Sequence, residues 1–161
     1  MALLFESTHF TIESVESPLI DRDDGGHLTI NPKQRVSTRQ ELTSLQAIEL
    51  MRLTMVAGEA LTNVMNAHGV DIGRINYQDN GNWSVFHPEG PTLHVHIYGR
   101  AKSAKYQKYG EALYFPHRAK HPELYDTLQP LTEGDCAAMR MEILRLMRDE
   151  RYSDAGWNVG N

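Results

Sequence analysis

Apolar and polar residues follow the pattern of β-strands in five short stretches of the chain. We predict strands over residues 10–13, 27–30, 72–77, 83–86 and 92–98. Turn-forming residues separate several of them, because Asn-Pro at 31–32 ends the second stretch and an Asn-Gly pair at 80–81 follows the third. The alternation is most regular in residues 92–98.

Helical periodicity occurs in two further stretches. An apolar stripe recurs at helical spacing through residues 44–67, and Thr43 and Gln46 have the capping-box spacing that begins a helix. A second helix is predicted to begin at Thr132. The order of strands, helix, strands and helix predicts an α+β fold with a mainly antiparallel sheet.

Length and composition limit the class of protein. The chain has 161 residues, 40% hydrophobic and 23% charged, so we expect one globular domain over residues 1–161. No apolar run reaches the roughly 18 residues of a membrane span, and we expect neither a membrane partner nor a secretory leader. Cys136 is the sole cysteine, which excludes an internal disulfide and favours a cytoplasmic location.

The charge is unevenly distributed. The formal net charge is −5, and residues 1–26 carry six acidic side chains against Arg22 alone. The rest of the chain is neutral, so we expect no nucleic-acid partner. Because buried carboxylates without partners lose solvation free energy, we expect the first 26 residues to be peripheral apart from the strand at Phe10. A short basic stretch, residues 100–108, contains Arg100, Lys102, Lys105 and Lys108.

Two histidines share one face of the stretch 92–98. Leu93, Val95 and Ile97 alternate with Thr92, His94, His96 and Tyr98. The apolar face must pack on the core, so the opposite face presents two imidazoles about 7 Å apart. Such a pair is consistent with metal ligands, with a nucleophile and its acid–base partner, or with polar residues on a solvated face.

The ordered motifs of residues 8–101 resemble the histidine-triad (HIT) superfamily of nucleotide hydrolases and transferases. Residues 26–33, Gly-His-Leu-Thr-Ile-Asn-Pro-Lys, are similar to the Gly-His-φ-φ-φ-x-Pro-Lys strand of that family. The helix opened at 42–43, the Asn-Gly turn and the histidine strand ending in Gly-Arg follow in the family's order. The resemblance implies a HIT-like antiparallel sheet with one long helix, here followed by a C-terminal helical extension over residues 102–161.

The resemblance also implies roles for individual residues. Counting back from Gly-Arg at 99–100 places His96 at the third histidine of the motif, His94 at the middle, nucleophilic one and Thr92 at the first. The alternative register makes His96 the middle histidine and places Tyr98 at the third position. The Gly-Arg anchor favours the first register. The nucleotide-binding candidates implied by the resemblance are His27, Thr92, Glu13 and Asn80, and Gln78 and Asn82 are the alternatives to Asn80.

The function implied is attack on the α-phosphate of a nucleotide conjugate, such as a dinucleoside polyphosphate or a nucleoside phosphoramidate, through a nucleotidyl-histidine. Such a nucleotidyl hydrolase or transferase needs no cofactor and no metal, takes a nucleotide-type small molecule and forms a homodimer. The wide apolar stripe between Leu45 and Val64 also favours a dimer. The alternatives are a metal-dependent hydrolase with His94 and His96 as ligands, and a non-catalytic nucleotide-binding module.

Several neighbouring residues have two interpretations. The basic stretch 100–108 either meets further phosphates of a polyphosphate substrate or forms a solvated loop. Trp83 and Phe86 either border a base pocket or pack in the core. No function is predicted for the other five histidines, which are His9, His68, His87, His117 and His121.

Overall fold

A five-stranded antiparallel sheet is the centre of the fold. The computed structural model describes residues 1–79 and 82–157, and in these ranges the strand order is β1-β2-β3-β5-β4. The strands are β1 (Ala2–Glu6), β2 (Phe10–Ser14), β3 (His27–Pro32), β4 (Ile72–Asp79) and β5 (Val95–Ala101). The helices are α1 (Ser44–Ala67), α2 (Glu133–Met147) and the short α3 (Asp154–Trp157). The prediction of an α+β fold with an antiparallel sheet is confirmed.

The long helix α1 begins and ends at the predicted residues. The Thr43 side chain accepts a hydrogen bond from the Gln46 amide, and the Gln46 side chain accepts one from the Thr43 amide. These reciprocal bonds satisfy two amides that the helix itself leaves unpaired. Leu53, Val56 and Leu61 are fully buried against the sheet.

The apolar stripe of α1 is wide because the helix has two packing partners. One side faces the sheet, and another faces α2, whose Met139 and Ile143 are fully buried in the same core. Three apolar side chains at the start of α1 remain exposed, namely Leu45, Ile48 and Met51. The homodimer stays a prediction.

Two predicted strands differ from the structure. Residues 83–86 do not form a strand, because a 3₁₀ turn over Asn82–Ser84 begins a connection that leaves the sheet. The histidine strand begins at Val95 rather than at residue 92, since its pairing with β3 and β4 starts there. His94 therefore lies just before β5. The structure also has a strand that the sequence pattern does not predict, β1.

The acidic N-terminal segment is not peripheral. Ile20 is fully buried, and the Asp21 and Asp24 side chains are 7% and 3% exposed. Asp24 accepts hydrogen bonds from the amides of residues 105, 106 and 107, and Asp21 from the Gln129 amide. Arg22 forms a two-bond ion pair with Asp135 of α2. The expectation was wrong because distant backbone amides and an arginine compensate these carboxylates.

None of the helices within residues 1–79 and 82–157 is long and apolar enough to cross a membrane.

Candidate active site

The predicted histidine face lies on β5 and its neighbour β3. Val95 and Ile97 of β5 are fully buried on the core side of the sheet. His96 therefore points to the opposite face, where it pairs across the sheet with Thr29 of β3 and Gln78 of β4. The alternation of β5 thus places its imidazole outside the main core, as the sequence predicts.

The ring of His94 is held by the backbone before β5. Its Nδ1 atom lies 2.8 Å from the carbonyl oxygen of Thr92. A carbonyl oxygen only accepts hydrogen bonds, so Nδ1 must carry the proton and donate it. The proton is then absent from Nε2 in the neutral ring, which leaves that nitrogen with a lone pair.

A chain of hydrogen bonds fixes the other two imidazoles. The Leu19 amide donates to Nδ1 of His27 at 3.1 Å, so His27 carries its proton on Nε2. That Nε2 lies 2.8 Å from Nδ1 of His96, which must accept. Neutral His96 consequently has its own proton on Nε2. The position of the proton on each of the three neutral rings therefore follows from two backbone groups, the Leu19 amide and the Thr92 carbonyl oxygen.

Burial keeps His27 and His96 uncharged at neutral pH. Desolvation, with a smaller contribution from the neighbouring imidazoles, lowers the pKa of His27 well below its ordinary value. Burial, and secondarily His94, lowers the pKa of His96 to about 4. The His94 and His96 rings meet edge to face with centroids 4.6 Å apart. At neutral pH His96 is therefore an uncharged hydrogen-bond donor.

A cavity of about 590 Å³ opens over the histidine face. Its size is in the range of small-molecule sites. Its lining comes from four parts of the chain: the β2–β3 connection, β4 and the connection after it, the histidine segment, and residues 113–117. The lining residues are Leu19, Gln78, Trp83, Ser84, His87, His94, His96, Leu113, Phe115 and His117.

The remaining predicted site residues lie in different places. Thr92 is half-buried and contributes its carbonyl oxygen rather than its side chain. Glu13 lies on β2, two strands from His96, where it accepts a hydrogen bond from Thr11 and does not line the cavity. Asn80 lies outside the described residues.

The basic stretch 100–108 does not reach the cavity. Arg100 is 5% exposed and donates to the carbonyl oxygens of Lys108 and Glu111, so it organises the loop that follows β5. The side chains of Lys102, Lys105 and Lys108 are exposed and absent from the cavity lining.

Two functional candidates were missed by sequence reasoning. His87 and His117 line the cavity together with Trp83. Phe86, by contrast, is 94% exposed and packs in neither the cavity nor the core. No local pattern distinguishes His117, because it lies outside the resemblance and reaches the site through long-range packing of Phe115 against Tyr98, at 5.1 Å between ring centroids.

A close approach of two glycines aligns the strands that carry the histidines. Gly25, at φ +132°, lies against Gly99 of β5, and a Cβ atom on Gly25 would come within 2.3 Å of the Gly99 carbonyl carbon. A side chain at either position would separate β3 from β5. This separation would lengthen the hydrogen bond between His27 and His96.

The metal alternative lacks a converging ligand set in the described part of the chain. Within residues 1–79 and 82–157, no three histidine, cysteine, aspartate or glutamate side chains are grouped so that they could hold a metal ion. The Nδ1 atoms of His94 and His96 are each already in a hydrogen bond.

Comparison with sequences finds a partial relative. No family model matches the chain. A stretch of 75 residues is 36% identical to a protein named AP-4-A phosphorylase in two strains of Mycobacterium tuberculosis. This stretch makes up 47% of the chain and 36% of the relative, so the match spans about a third of the length of these curated relatives.

Comparison with solved structures identifies the fold. A histidine triad protein of Sinorhizobium meliloti 1021 superposes with a TM-score of 0.60 at 16% identity, covering 89% of this chain and 87% of the other. A histidine triad protein of Bradyrhizobium japonicum superposes with a TM-score of 0.58 at 17% identity, and the match covers 88% of this chain and 90% of the other. A uridylyltransferase superposes with a TM-score of 0.55 at 16% identity, and the match covers 89% of this chain and 41% of the other. The resemblance to histidine-triad proteins is therefore confirmed at the level of the fold.

Proposed function

Starting from a chain with the histidine-triad fold, we propose that it is a nucleotidyl hydrolase or transferase whose nucleophile is Nε2 of His94. The observation that carries the proposal is the 2.8 Å contact between Nδ1 of His94 and the Thr92 carbonyl oxygen. This contact assigns the ring proton to Nδ1 and leaves the Nε2 lone pair for attack at phosphorus. The cavity over the ring offers room for a nucleotide conjugate.

The reaction has two balanced steps. In the first, Nε2 of His94 forms a bond to the α-phosphorus while the bond from phosphorus to the leaving group breaks, and the leaving group takes a proton from solvent. The imidazole becomes an N-phosphorylated cation that keeps its proton on Nδ1 and donates it to the Thr92 carbonyl oxygen. In the second step water, or another acceptor, forms a bond to phosphorus and releases a proton, and the phosphorus–nitrogen bond breaks to restore neutral His94.

His96 acts on the phosphate oxygens in this proposal. Its Nε2 proton is available because Nδ1 accepts from His27. The low pKa of His96, about 4, keeps it a neutral donor near pH 7, so it stabilises charge on the transferring phosphoryl group without acting as a general acid there. His27 is a positioning residue, since it reaches the substrate only through His96.

The same hydrogen bonds favour the first motif register over the second. If His96 were the nucleophile, its attacking nitrogen would be Nε2, which carries the proton in the tautomer set by His27. Tyr98 would then stand at the third position, but its side chain is fully buried under the rings of His96 and Phe115 and is not among the residues that line the cavity. These contacts support His94.

Steady-state turnover tests the proposal. The substrates are nucleoside phosphoramidates, dinucleoside polyphosphates and nucleotide sugars, assayed with and without a chelator. We expect His94→Ala to abolish turnover and His96→Ala to reduce it by roughly two to three orders of magnitude, the loss typical of one hydrogen-bond donor to a transition state. The control is His121→Ala, whose exposed ring lies outside the cavity.

Two results would contradict the proposal. Turnover by the wild-type chain that disappears on chelation together with a stoichiometric metal would favour the metal-dependent hydrolase. Nucleotide binding without turnover of any substrate would favour the non-catalytic module.

A further inference from the structure

The lining of the cavity has two chemically distinct halves, one apolar and one with exposed polar rings. Strand β5 lies between β3 and β4 in the sheet. Leu19 enters the cavity from the β3 side, whereas Trp83 enters from the connection after β4. The half around Leu19, Leu113 and Phe115 is apolar, and the half around Trp83 contains His87 and His117.

We infer that Trp83, His87 and His117 form a leaving-group subsite for a planar, aromatic group that carries no phosphate beyond the one attacked. The inference rests on the proposed function and specifies its substrate class. The subsite favours a nucleotide joined through its α-phosphate to an aromatic amine or alcohol over a dinucleoside polyphosphate.

The Trp83 ring contacts two other aromatic rings and still has an exposed area. It lies 5.2 Å from the His117 ring and meets Tyr125 edge to face at 6.4 Å between centroids. Trp83 nevertheless remains 39% exposed. A supported indole with an accessible surface at a cavity is suited to stacking against another aromatic ring, with little loss of side-chain entropy on binding.

His117 adds a directed polar group to this half. Its Nδ1 atom accepts a hydrogen bond from the Ala119 amide at 3.3 Å. The neutral ring therefore carries its proton on Nε2 and can donate it. An aromatic ring with a heteroatom acceptor at its edge would satisfy both the stacking surface and this donor.

The cavity lacks the cations that a polyphosphate chain requires. No lysine or arginine is among its described lining residues, and positions 80, 81 and 158–161, which the structure does not describe, carry neither residue type. The nearby Arg118 donates to the carbonyl oxygens of Ser17 and Pro18 and covers the Tyr125 ring. Phosphates beyond the first would enter the cavity without a charged partner.

Solvent exposure assigns the leaving group to the Trp83 half. In the proposed reaction the nucleotide stays bound to His94 after the first step, whereas the leaving group must depart and water must enter. Trp83, His87 and His117 are exposed, whereas Leu19 is 9% exposed and Phe115 is half-buried. The open half is the one through which a product can leave between the two steps.

Matched conjugates test the inference. The probes are adenosine 5′-phosphoramidates of 2-phenylethylamine and of 2-cyclohexylethylamine, which differ in ring planarity but little in size, and diadenosine tetraphosphate. We expect kcat/KM to be about tenfold higher for the phenyl than for the cyclohexyl conjugate, the factor corresponding to one aromatic stacking contact. We expect the tetraphosphate to be the poorest of the three.

Variants of one loop connect this selectivity to the subsite. Trp83→Leu should remove the phenyl preference, Trp83→Phe should keep most of it, and Phe86→Leu, on the same connection but outside the cavity, should leave it unchanged. Equal rates for the two phosphoramidates, a preference that survives Trp83→Leu, or better turnover of the tetraphosphate would each overturn the inference.

Different results would overturn the proposed function and the inferred subsite. If the wild-type chain turns over none of the conjugates, the proposed function fails, and calorimetric binding of the same two phosphoramidates then decides the inference. Binding about tenfold tighter for the phenyl conjugate, lost in Trp83→Leu, supports the subsite. Equal binding of the two overturns it.

Discussion

Because this protein has buried imidazoles, its free energy of unfolding should begin to fall at a higher pH during acidification than it would if only its carboxylates titrated. The pKa of His96 is about 4 in the folded chain and 6.5 as an unperturbed group. As pH falls below about 6.5, the unfolded chain binds a proton that the folded chain does not, so the free energy of unfolding decreases. The stability is complete above about pH 6.5 and is progressively lost down to about pH 4.

The size of the effect follows from these two pKa values. Between about pH 7 and about pH 4.5, linkage gives a loss of up to about 2.5 kcal/mol for His96 alone. His27, whose pKa is lowered well below its ordinary value, acts in the same direction. The carboxyls with lowered pKa values, such as Glu49 and Glu142, also contribute to the free energy of unfolding, but this contribution is lost mostly at lower pH.

Urea unfolding followed by circular dichroism at a series of pH values measures this loss. The His96 imidazole stacks on the Tyr98 ring with centroids 5.4 Å apart. The variant His96→Phe keeps an aromatic ring at this position, but the phenyl ring cannot titrate. We expect this variant to be less stable near pH 7 by about 1–3 kcal/mol, because the His27 Nε2 donor loses its partner, and to lose about 2 kcal/mol less on acidification. The control Phe86→Leu changes an exposed side chain that does not titrate, and it should follow the wild-type slope. A wild-type stability that stays flat from about pH 7 to about pH 4.5 would refute the reasoning, as would an equally steep slope in His96→Phe.

Three further predictions concern the scaffold and the motif. Gly25→Ala should lower stability by roughly 3 kcal/mol or more, because its Cβ would meet the Gly99 backbone at 2.3 Å; calorimetric melting against Gly134→Ala, which has only ordinary contacts, checks this, and equal melting temperatures would contradict it. Asp24→Asn should speed proteolysis of the loop after β5, since three amides lose a charged acceptor; an unchanged cleavage rate would show that the carboxylate charge is not needed. Thr92→His should keep or raise turnover, because it restores the first histidine of the motif; a large loss would show that the site has adapted to threonine.

Local signals in the sequence predicted the main helix and the histidine face. The start of α1 follows from a capping box within four residues, and the orientation of His96 follows from the period of two in a strand. Residues 83–86 have strand-like side chains, but whether a segment pairs depends on a neighbouring strand that the sequence does not specify. Their prediction failed for that reason.

Long-range contacts account for the parts that sequence reasoning missed. Asp24 is buried because amides about 80 residues away pair with it. His117 lines the cavity because Phe115 packs on Tyr98 and its own ring meets Trp83. Neither contact leaves a periodic or motif-like trace, so one sequence without its fold gives no reason to select these residues.

Trapping the covalent intermediate tests the nucleophile most directly. The wild-type chain is mixed with a nucleotide conjugate labelled at the α-phosphate, quenched under alkaline conditions because phosphorus–nitrogen bonds to histidine are labile in acid, digested and mapped by mass spectrometry. The hydrogen bond from Nδ1 of His94 to the Thr92 carbonyl oxygen predicts one nucleotidyl group on Nε2 of His94, absent in His94→Ala and present in His96→Ala. An adduct on His96, or turnover with no adduct on either histidine, would contradict the account.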